Sequence, residues 1–191
     1  EAESRQAAIA RSRVDSMRLP YTAADIHFMS GMIHHHAQAI EMAKLVPERA
    51  SNGSVKVLAE RIINAQRDEI GRMSHWLEDR NQPVPPITGG PMKMMMNGME
   101  HEMLMPGMLT DEQMAALRAA RGNSFDELFL RGMIQHHRGA IEMVRELFAT
   151  DGAGQDEQVF RFATDVNVDQ ITEINRMERL LFDVRSERHT P

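Results

Sequence analysis

Residues 28–42 read FMSGMIHHHAQAIEM, and residues 129–143 read FLRGMIQHHRGAIEM, so the chain carries one motif twice. The copies share a phenylalanine, a glycine, a Met-Ile pair, two consecutive histidines and an Ile-Glu-Met ending. A second block follows each copy at the same internal spacing, and it comprises Gln66, Glu69, Ile70 and Met73 in the first half and Gln170, Glu173, Ile174 and Met177 in the second. Two long matches in the same order indicate an internal duplication.

Both blocks have the apolar spacing of helices. Apolar and histidine side chains recur every three or four residues, as on one face of a helix. The spacing predicts four main helices over 22–47, 54–80, 124–149 and 156–184, and shorter helices over 4–17 and 110–121. Three pairs have the spacing of helix-capping residues, namely Thr22 with Asp25, Thr110 with Gln113, and Ser124 with Glu127.

Turn residues divide these helices into two pairs. Asn52-Gly53 and the segment 151–154 are short turns, so each pair is expected to form an antiparallel hairpin. Prolines and glycines between 83 and 91 separate the pairs, and no alternating run predicts a strand. The predicted fold is therefore an all-α four-helix bundle in a single domain, 1–191. Its parts are repeat one at 22–80, a Met-rich linker at 81–109 and repeat two at 110–185.

The composition restricts the classes of function. The formal net charge is −6, no basic patch appears, and no apolar stretch is long enough to span a membrane, so neither nucleic acid nor a bilayer is an expected partner. The chain has 17 Met and 9 His but no Cys, which excludes disulfides and thiolate metal sites. Because the first residue is Glu1, a removed secretory signal or a trimmed chain is expected.

Each half places polar groups on the apolar face of its helices. The groups are two imidazoles, an amide and a carboxylate: His35, His36, Gln66 and Glu69 in the first half, and His136, His137, Gln170 and Glu173 in the second. His34 and Glu41 are expected on the opposite face. Burying such groups without partners costs about 1–3 kcal/mol each.

Two interpretations account for the inward polar groups. In one, the amide and carboxylate bond the imidazoles in a satisfied polar network. In the other, Met and His three or four residues apart bind one metal ion, and Glu and Gln orient the imidazoles. The doubled Met-x-x-His-His pattern favours the metal site.

The linker is a second candidate metal site. Eight of the 17 methionines fall between Met92 and Met108, among proline and glycine, and His101 lies between Met99 and Met103. A lid packed on the bundle or a contact surface for another protein would also use methionine. Few other apolar residues are mixed in, which favours metal binding. We expect this segment to be mobile without metal.

The donor types select the ion. Thioether and imidazole without thiolate suit Cu(I), and Ag(I) by the same softness, whereas Zn²⁺ sites favour Cys, His and carboxylate. A di-iron bundle would need Glu-x-x-His on two helices. The chain has Glu69-x-x-Arg72 and Glu173-x-x-Arg176 instead, so the di-iron site is disfavoured, and no nucleophile motif or phosphate loop appears.

The motif resembles domain-of-unknown-function family 305. The resemblance rests on Met32-x-x-His35-His36-x-x-Ala39-Ile40-x-Met42 and on the block from Gln66 to Trp76-Leu77. It covers nearly all of 22–181 and implies a ferritin-like helical bundle. It further implies a periplasmic or secreted metal-binding protein linked to copper or silver resistance, with no established catalysis. The second copy has Leu180-Leu181 in place of Trp-Leu and Leu130 in place of Met29.

The resulting hypothesis is a non-enzymatic protein that binds, buffers or delivers Cu(I), and Ag(I) alike, outside the cytoplasm. Delivery would involve another copper-trafficking protein. The alternatives are a metal-dependent redox enzyme with its site in the bundle and an interaction module that needs no metal. The candidate metal ligands are Met29, Met32, His35, His36, Met42, Met73, Met92, Met94, Met95, Met96, Met99, His101, Met103, Met105, Met108, Met133, His136, His137, Met143 and Met177.

Overall fold

The first long helix, α1, spans Ala23–Ala43 and begins at the predicted cap. The Thr22 hydroxyl accepts a hydrogen bond from the Asp25 amide, and the Asp25 carboxylate accepts one from the Thr22 amide, which together form a capping box. Asp25 also accepts a hydrogen bond from the Gly154 amide at 2.7 Å. The start of α1 is thereby tied to a turn of the second half.

The computed structural model describes residues 21–96 and 99–187, without the side chains of 93–96, 100, 101 and 187. The helix predicted at 4–17 lies outside the described residues. The elements after α1 are α2 (Val46–Arg49), α3 (Gly53–Asp79), β1 (Met92–Met96), β2 (Met99–Met103), α4 (Asp111–Ala119), α5 (Gly122–Ala149) and α6 (Glu157–Glu187). The predicted all-helical bundle with four long helices is confirmed.

Several helix boundaries differ from the prediction by one to four residues, and two of these differences have a local cause. The first helix was expected to reach residue 47 but ends at Ala43, because the ring of Pro47 would clash with the Ala43 carbonyl in a continuous helix. Helix α5 begins at Gly122 and not behind a Ser124 cap, and its N-cap, Arg121, makes no side-chain capping bond. Gly122 has φ +60°, a conformation that glycine adopts without strain, and the chain enters the helix there.

The expectation of no strand was wrong. Strands β1 and β2 pair antiparallel, with Met92 opposite Met103 and Met96 opposite Met99. The two residues between Met96 and Met99 in sequence are Asn-Gly, a pair typical of two-residue hairpin turns. This turn signal was overlooked because methionine is a weak strand indicator and the run does not alternate.

The two halves pack through their histidine-bearing helices. Helix α1 packs on α3, α5 packs on α6, and α1 and α5 lie directly against each other. Two apolar clusters result, one around Trp76 and Phe162 and the other around Phe125 and Phe129. Each cluster contains residues from both halves, so the two repeats share their core.

The Gln38 side chain holds the linker against α1 by hydrogen bonds. The Gln38 side chain donates to the carbonyls of Gly89 and Leu109 and accepts from the Leu109 amide at 2.7 Å. The linker segments before β1 and after β2 therefore cross the bundle at the same point. Met105 and Met108 are buried in the apolar core, so the expectation of a mobile linker was wrong for this part.

Candidate metal site

Helices α1 and α5 bring four histidines into one buried layer. The rings of His35 and His136 lie with their centroids 3.7 Å apart and their planes at 38°. Within each half the consecutive rings are 6.3 Å apart, at 54° for His35–His36 and 56° for His136–His137. All four rings are almost completely buried. The matched geometry shows that the sequence repeat is also a repeat of the site.

A carboxylate holds one ring in each half. His36 Nε2–H donates to Glu69 Oε2 at 2.6 Å, and His137 Nε2–H donates to Glu173 Oε2 at 2.6 Å. The predicted carboxylate–imidazole pairs are therefore confirmed. The amides do not take part, since Gln66 Oε1 and Gln170 Oε1 are buried and no described residue hydrogen-bonds to them.

Five nitrogen atoms of this histidine layer have no hydrogen-bond partner among the described residues. They are Nδ1 of His35, His36 and His137, and both ring nitrogens of His136. An unsatisfied buried polar atom costs about 1–3 kcal/mol. In the neutral tautomer that gives Nε2–H to a carboxylate, Nδ1 of His36 and of His137 carries a free lone pair, which is the state that a metal ligand needs.

Burial sets the charge of the stacked pair. Desolvation lowers the pKa of both His35 and His136 well below the usual value, and the neighbouring imidazoles lower it further. Both rings are consequently neutral at pH 7. Burial alone would raise the pKa of Glu69, but the hydrogen bond from His36, together with the charge of Arg72, outweighs it and lowers the pKa, so this carboxyl is ionised.

An acidic cleft lies on one side of the layer, between α3 and α6. Its volume is about 220 Å³, and Gln66, Glu69, Asp169, Gln170 and Glu173 are among its lining residues. The pKa of Asp169 is raised, first by burial and then by the charges of Glu69, Asp165 and Glu173. Arg61 also lines the cleft, but the three carboxylates outnumber it, so the net negative charge attracts cations toward the carboxylates that hold His36 and His137.

The linker covers the other side of the layer. His35 Nε2–H donates to the carbonyl of Pro106 at 3.0 Å. His34, expected on the opposite face, is buried instead and its Nδ1 lies 3.0 Å from Thr88 O, because the linker crosses that face of α1. The Gly89 amide donates to Glu41 on the same face. Periodicity could not show that a linker would bury this face.

The predicted methionine ligands fall into three groups. The first group is buried and lies in the long helices and in the linker segment after β2: Met29, Met32, Met42, Met73, Met105, Met108, Met133, Met143 and Met177. Met92 is half-buried, whereas Met99 and Met103 are exposed. The side chains of Met94, Met95, Met96 and His101 lie outside the described residues.

Met32 and Met133 are placed to complement the histidines. Each precedes the first histidine of its pair by three residues, so thioether and imidazole lie one helical turn apart on the same face. In the described part of the chain, no three His, Asp or Glu side chains converge closely enough to hold a metal ion by themselves. An ion bound here would draw part of its ligand set from thioether or amide groups.

Sequence reasoning missed two residues that shape the site. Gln38 holds the linker by hydrogen bonds, and the equivalent residue in the second copy is Gly139, which has no side chain. At Gly139 the linker backbone takes the space of a side chain, since a Cβ there would overlap the Pro106 carbonyl. The mismatch of Gln38 with Gly139 was the available signal, because it marks where the two copies meet different neighbours.

Fold and site together define an all-helical protein made of two repeated helix pairs that share a buried histidine layer. None of its described helices has the length and apolarity needed to cross a membrane. The chain belongs to the family described as Domain of unknown function (DUF305), whose model matches residues 25–181. The family resemblance of the motif is thereby confirmed.

Solved structures of similar proteins share this fold. A DUF305 fragment from Deinococcus radiodurans is 29% identical, with a TM-score of 0.71 over 86% of this chain and 99% of its own. A DUF305 protein from Streptomyces coelicolor, predicted to be secreted, is 31% identical, with a TM-score of 0.68 over 84% of this chain and 92% of its own.

CopM is a third structural relative. Its Cu(I)-bound form is 27% identical to this chain, with a TM-score of 0.62 over 86% of this chain and 98% of its own. CopM has also been solved in Cu(II)-bound and Ag-bound forms.

An uncharacterized protein, L153 of Acanthamoeba polyphaga mimivirus, is 39% identical over 56 residues, so the match spans only 37% of that protein.

Proposed function

We propose that this protein binds Cu(I), and Ag(I) by the same chemistry, in the histidine layer. The observation that carries the proposal is the pair of buried Nδ1 atoms of His36 and His137. Each lacks a hydrogen-bond partner in the described part of the chain, while the opposite nitrogen of the same ring is held by a carboxylate. Histidine ligands of metals commonly give their second nitrogen to a carboxylate in this way, which fixes the tautomer and the ring orientation.

The choice of ion follows from the remaining donors. The buried Met32 and Met133 lie one helical turn from the first histidine of each pair and cysteine is absent, so soft neutral donors accompany the imidazoles. Such a set favours Cu(I) and Ag(I) over harder divalent ions. The Cu(I)- and Ag-bound forms of CopM support the same choice.

The proposed biological role is to bind, buffer or deliver copper outside the cytoplasm and so contribute to copper tolerance. The secretion predicted for the Streptomyces coelicolor relative supports the location. We infer a binding role and not a catalytic one. Delivery would require a copper-trafficking partner, and the exposed hairpin methionines Met99 and Met103 offer thioethers that such a partner can reach.

A competition titration tests the proposal. The reduced protein is titrated with Cu(I) against a chromogenic chelator, and the bound equivalents are counted for the native chain and for His36→Ala and His137→Ala. We expect each variant to lose bound copper or to bind it at least tenfold more weakly. His75→Ala is the matched control, because this histidine is exposed on α3 away from the layer. Unchanged binding in both layer variants, with helical circular dichroism intact, would refute the proposal.

A further inference from the structure

A second group of soft donors lies outside the histidine layer. A pocket of about 370 Å³ opens between the start of α1, the end of α5 and the segment that follows β2. Among the residues that line it are His27, Phe28, Met103, Met105, Met143 and Glu146. The wall therefore presents one imidazole, three thioethers and one carboxylate. His27 stands outside the repeated motif.

Two of the thioether side chains converge on Gly31. A Cβ at Gly31 would lie 2.8 Å from Met105 Sδ and 3.4 Å from the Met143 methyl, so both side chains occupy the space over this glycine. Met105 comes from the linker and Met143 from α5, and the fold alone brings them together. Both are buried, so their positions are fixed by packing.

The equivalent place in the second half lacks two of these donors. There Gly132 meets Leu109 in place of Met105, and Met42 in place of Met143. The residue equivalent to His27 is Leu128. Two of the four donors, His27 and Met105, are thus replaced by hydrocarbon at the equivalent place, where the thioether of Met42 remains. The two repeats have the same fold here. They differ in the linker residue packed on the glycine, Met105 or Leu109, and in the helix residue His27 or Leu128.

The mouth of the pocket is open to solvent. Met103 is 43% exposed and His27 is half-buried, whereas the ring nitrogens of the histidine layer are enclosed. An ion can reach the pocket without any opening of the bundle. The carboxylate of Glu146 at the rim adds negative charge that favours a cation over a neutral ligand.

We propose that this pocket is a separate site for a soft monovalent ion, Cu(I) or Ag(I), with His27 and the thioethers of Met103, Met105 and Met143 as ligands. Imidazole and thioether without thiolate suit these ions. The proposal rests on the proposed function in that it assumes Cu(I) and Ag(I) as cargo. It does not depend on the histidine layer as a ligand set. The site would take up ions from solvent faster than the enclosed layer.

The test uses Ag(I), which needs no reducing agent, and the native chain with ¹³C-labelled methionine methyl groups. We expect substoichiometric Ag(I) to shift the methyl resonances of Met103, Met105 and Met143. The double variant His27→Leu, Met103→Leu should bind about one equivalent less. It places leucine at 27, as the second half has at 128, and changes no fully buried residue. Met99→Leu is the control, because Met99 is an exposed thioether that does not line the pocket.

The outcomes separate the two proposals. Unmoved methyl resonances of these three methionines, or an undiminished Ag(I) capacity in the double variant, would overturn the pocket site. If His36→Ala and His137→Ala still lose metal in that case, the proposed function stands and only the pocket site fails. If the native chain binds neither Cu(I) nor Ag(I), both proposals fail.

Discussion

His35 and His136, which are equivalent residues of the two repeats, lie against each other in the core with their ring centroids 3.7 Å apart and their planes tilted by 38°. Burial keeps both rings neutral, so the contact carries no charge repulsion at pH 7. His35 donates to the linker at Pro106, whereas neither nitrogen of His136 makes a well-formed hydrogen bond with any described residue. A sequence selected for stability alone would place hydrocarbon at 136.

Replacing His136 by leucine should therefore stabilise the metal-free protein. Removing an unsatisfied buried polar group while keeping apolar contacts should raise the free energy of unfolding by about 1 kcal/mol. Urea denaturation of metal-free His136→Leu and native protein measures the difference. The same variant should bind Cu(I) more weakly. A clear loss of stability without metal would contradict this expectation and give His136 a structural role.

The carboxylates should act on the metal through the imidazoles. In Glu69→Gln the neutral amide holds His36 less firmly and can no longer stabilise an electron-rich ring, so Cu(I) affinity should fall about tenfold or more. Chelator competition measures the dissociation constant. Glu60→Gln, an exposed change on the same helix, is the control. Equal affinities of the two variants would show that the carboxylate has no influence on binding.

Asp156 should make stability depend on acid pH. Burial alone would raise its pKa, but hydrogen bonds from Arg80, Trp76 and the Val159 amide outweigh it and lower the pKa. A carboxyl with a lowered folded-state pKa stabilises the fold above its unfolded pKa, near 4, and loses that contribution as the pH falls through the folded value.

Asp156→Asn should accordingly cost about 2 kcal/mol at pH 7, and the difference from the native protein should shrink as the pH falls below about 4. Urea melts at a series of pH values measure it. A difference that stays constant down to pH 2 would mean that the charge of Asp156 does not contribute.

Gly139 is the residue at which the linker meets α5. A methyl group there would overlap the Pro106 carbonyl, so Gly139→Ala should displace the linker and destabilise the protein by about 2 kcal/mol. Gly71→Ala is the matched control, because no atom lies within 4 Å of its Cβ position. The control should gain about 0.5–1 kcal/mol from helix propensity. Thermal melts compare them, and equal shifts in both variants would refute close packing of the linker.

The helices and the inward position of the four histidines were predictable because the repeat and the apolar spacing are local signals. Met32, His35 and His36 share a face in any helix of this period. The burial of His34 and the contact of Met105 with Gly31 were not predictable in this way. Both depend on where the linker crosses the bundle, and that path is set by contacts distant in sequence, such as Gln38 with Leu109.

The central claim is that Nδ1 of His36 and of His137 is the atom that binds metal. Two-dimensional ¹H–¹⁵N spectra of the histidine side chains, recorded with and without Ag(I), test it directly. The account predicts that both Nδ1 resonances move from the value of a free lone pair to that of a metal-bound nitrogen, while both Nε2 atoms stay protonated. Unchanged Nδ1 resonances at saturating Ag(I) would contradict it.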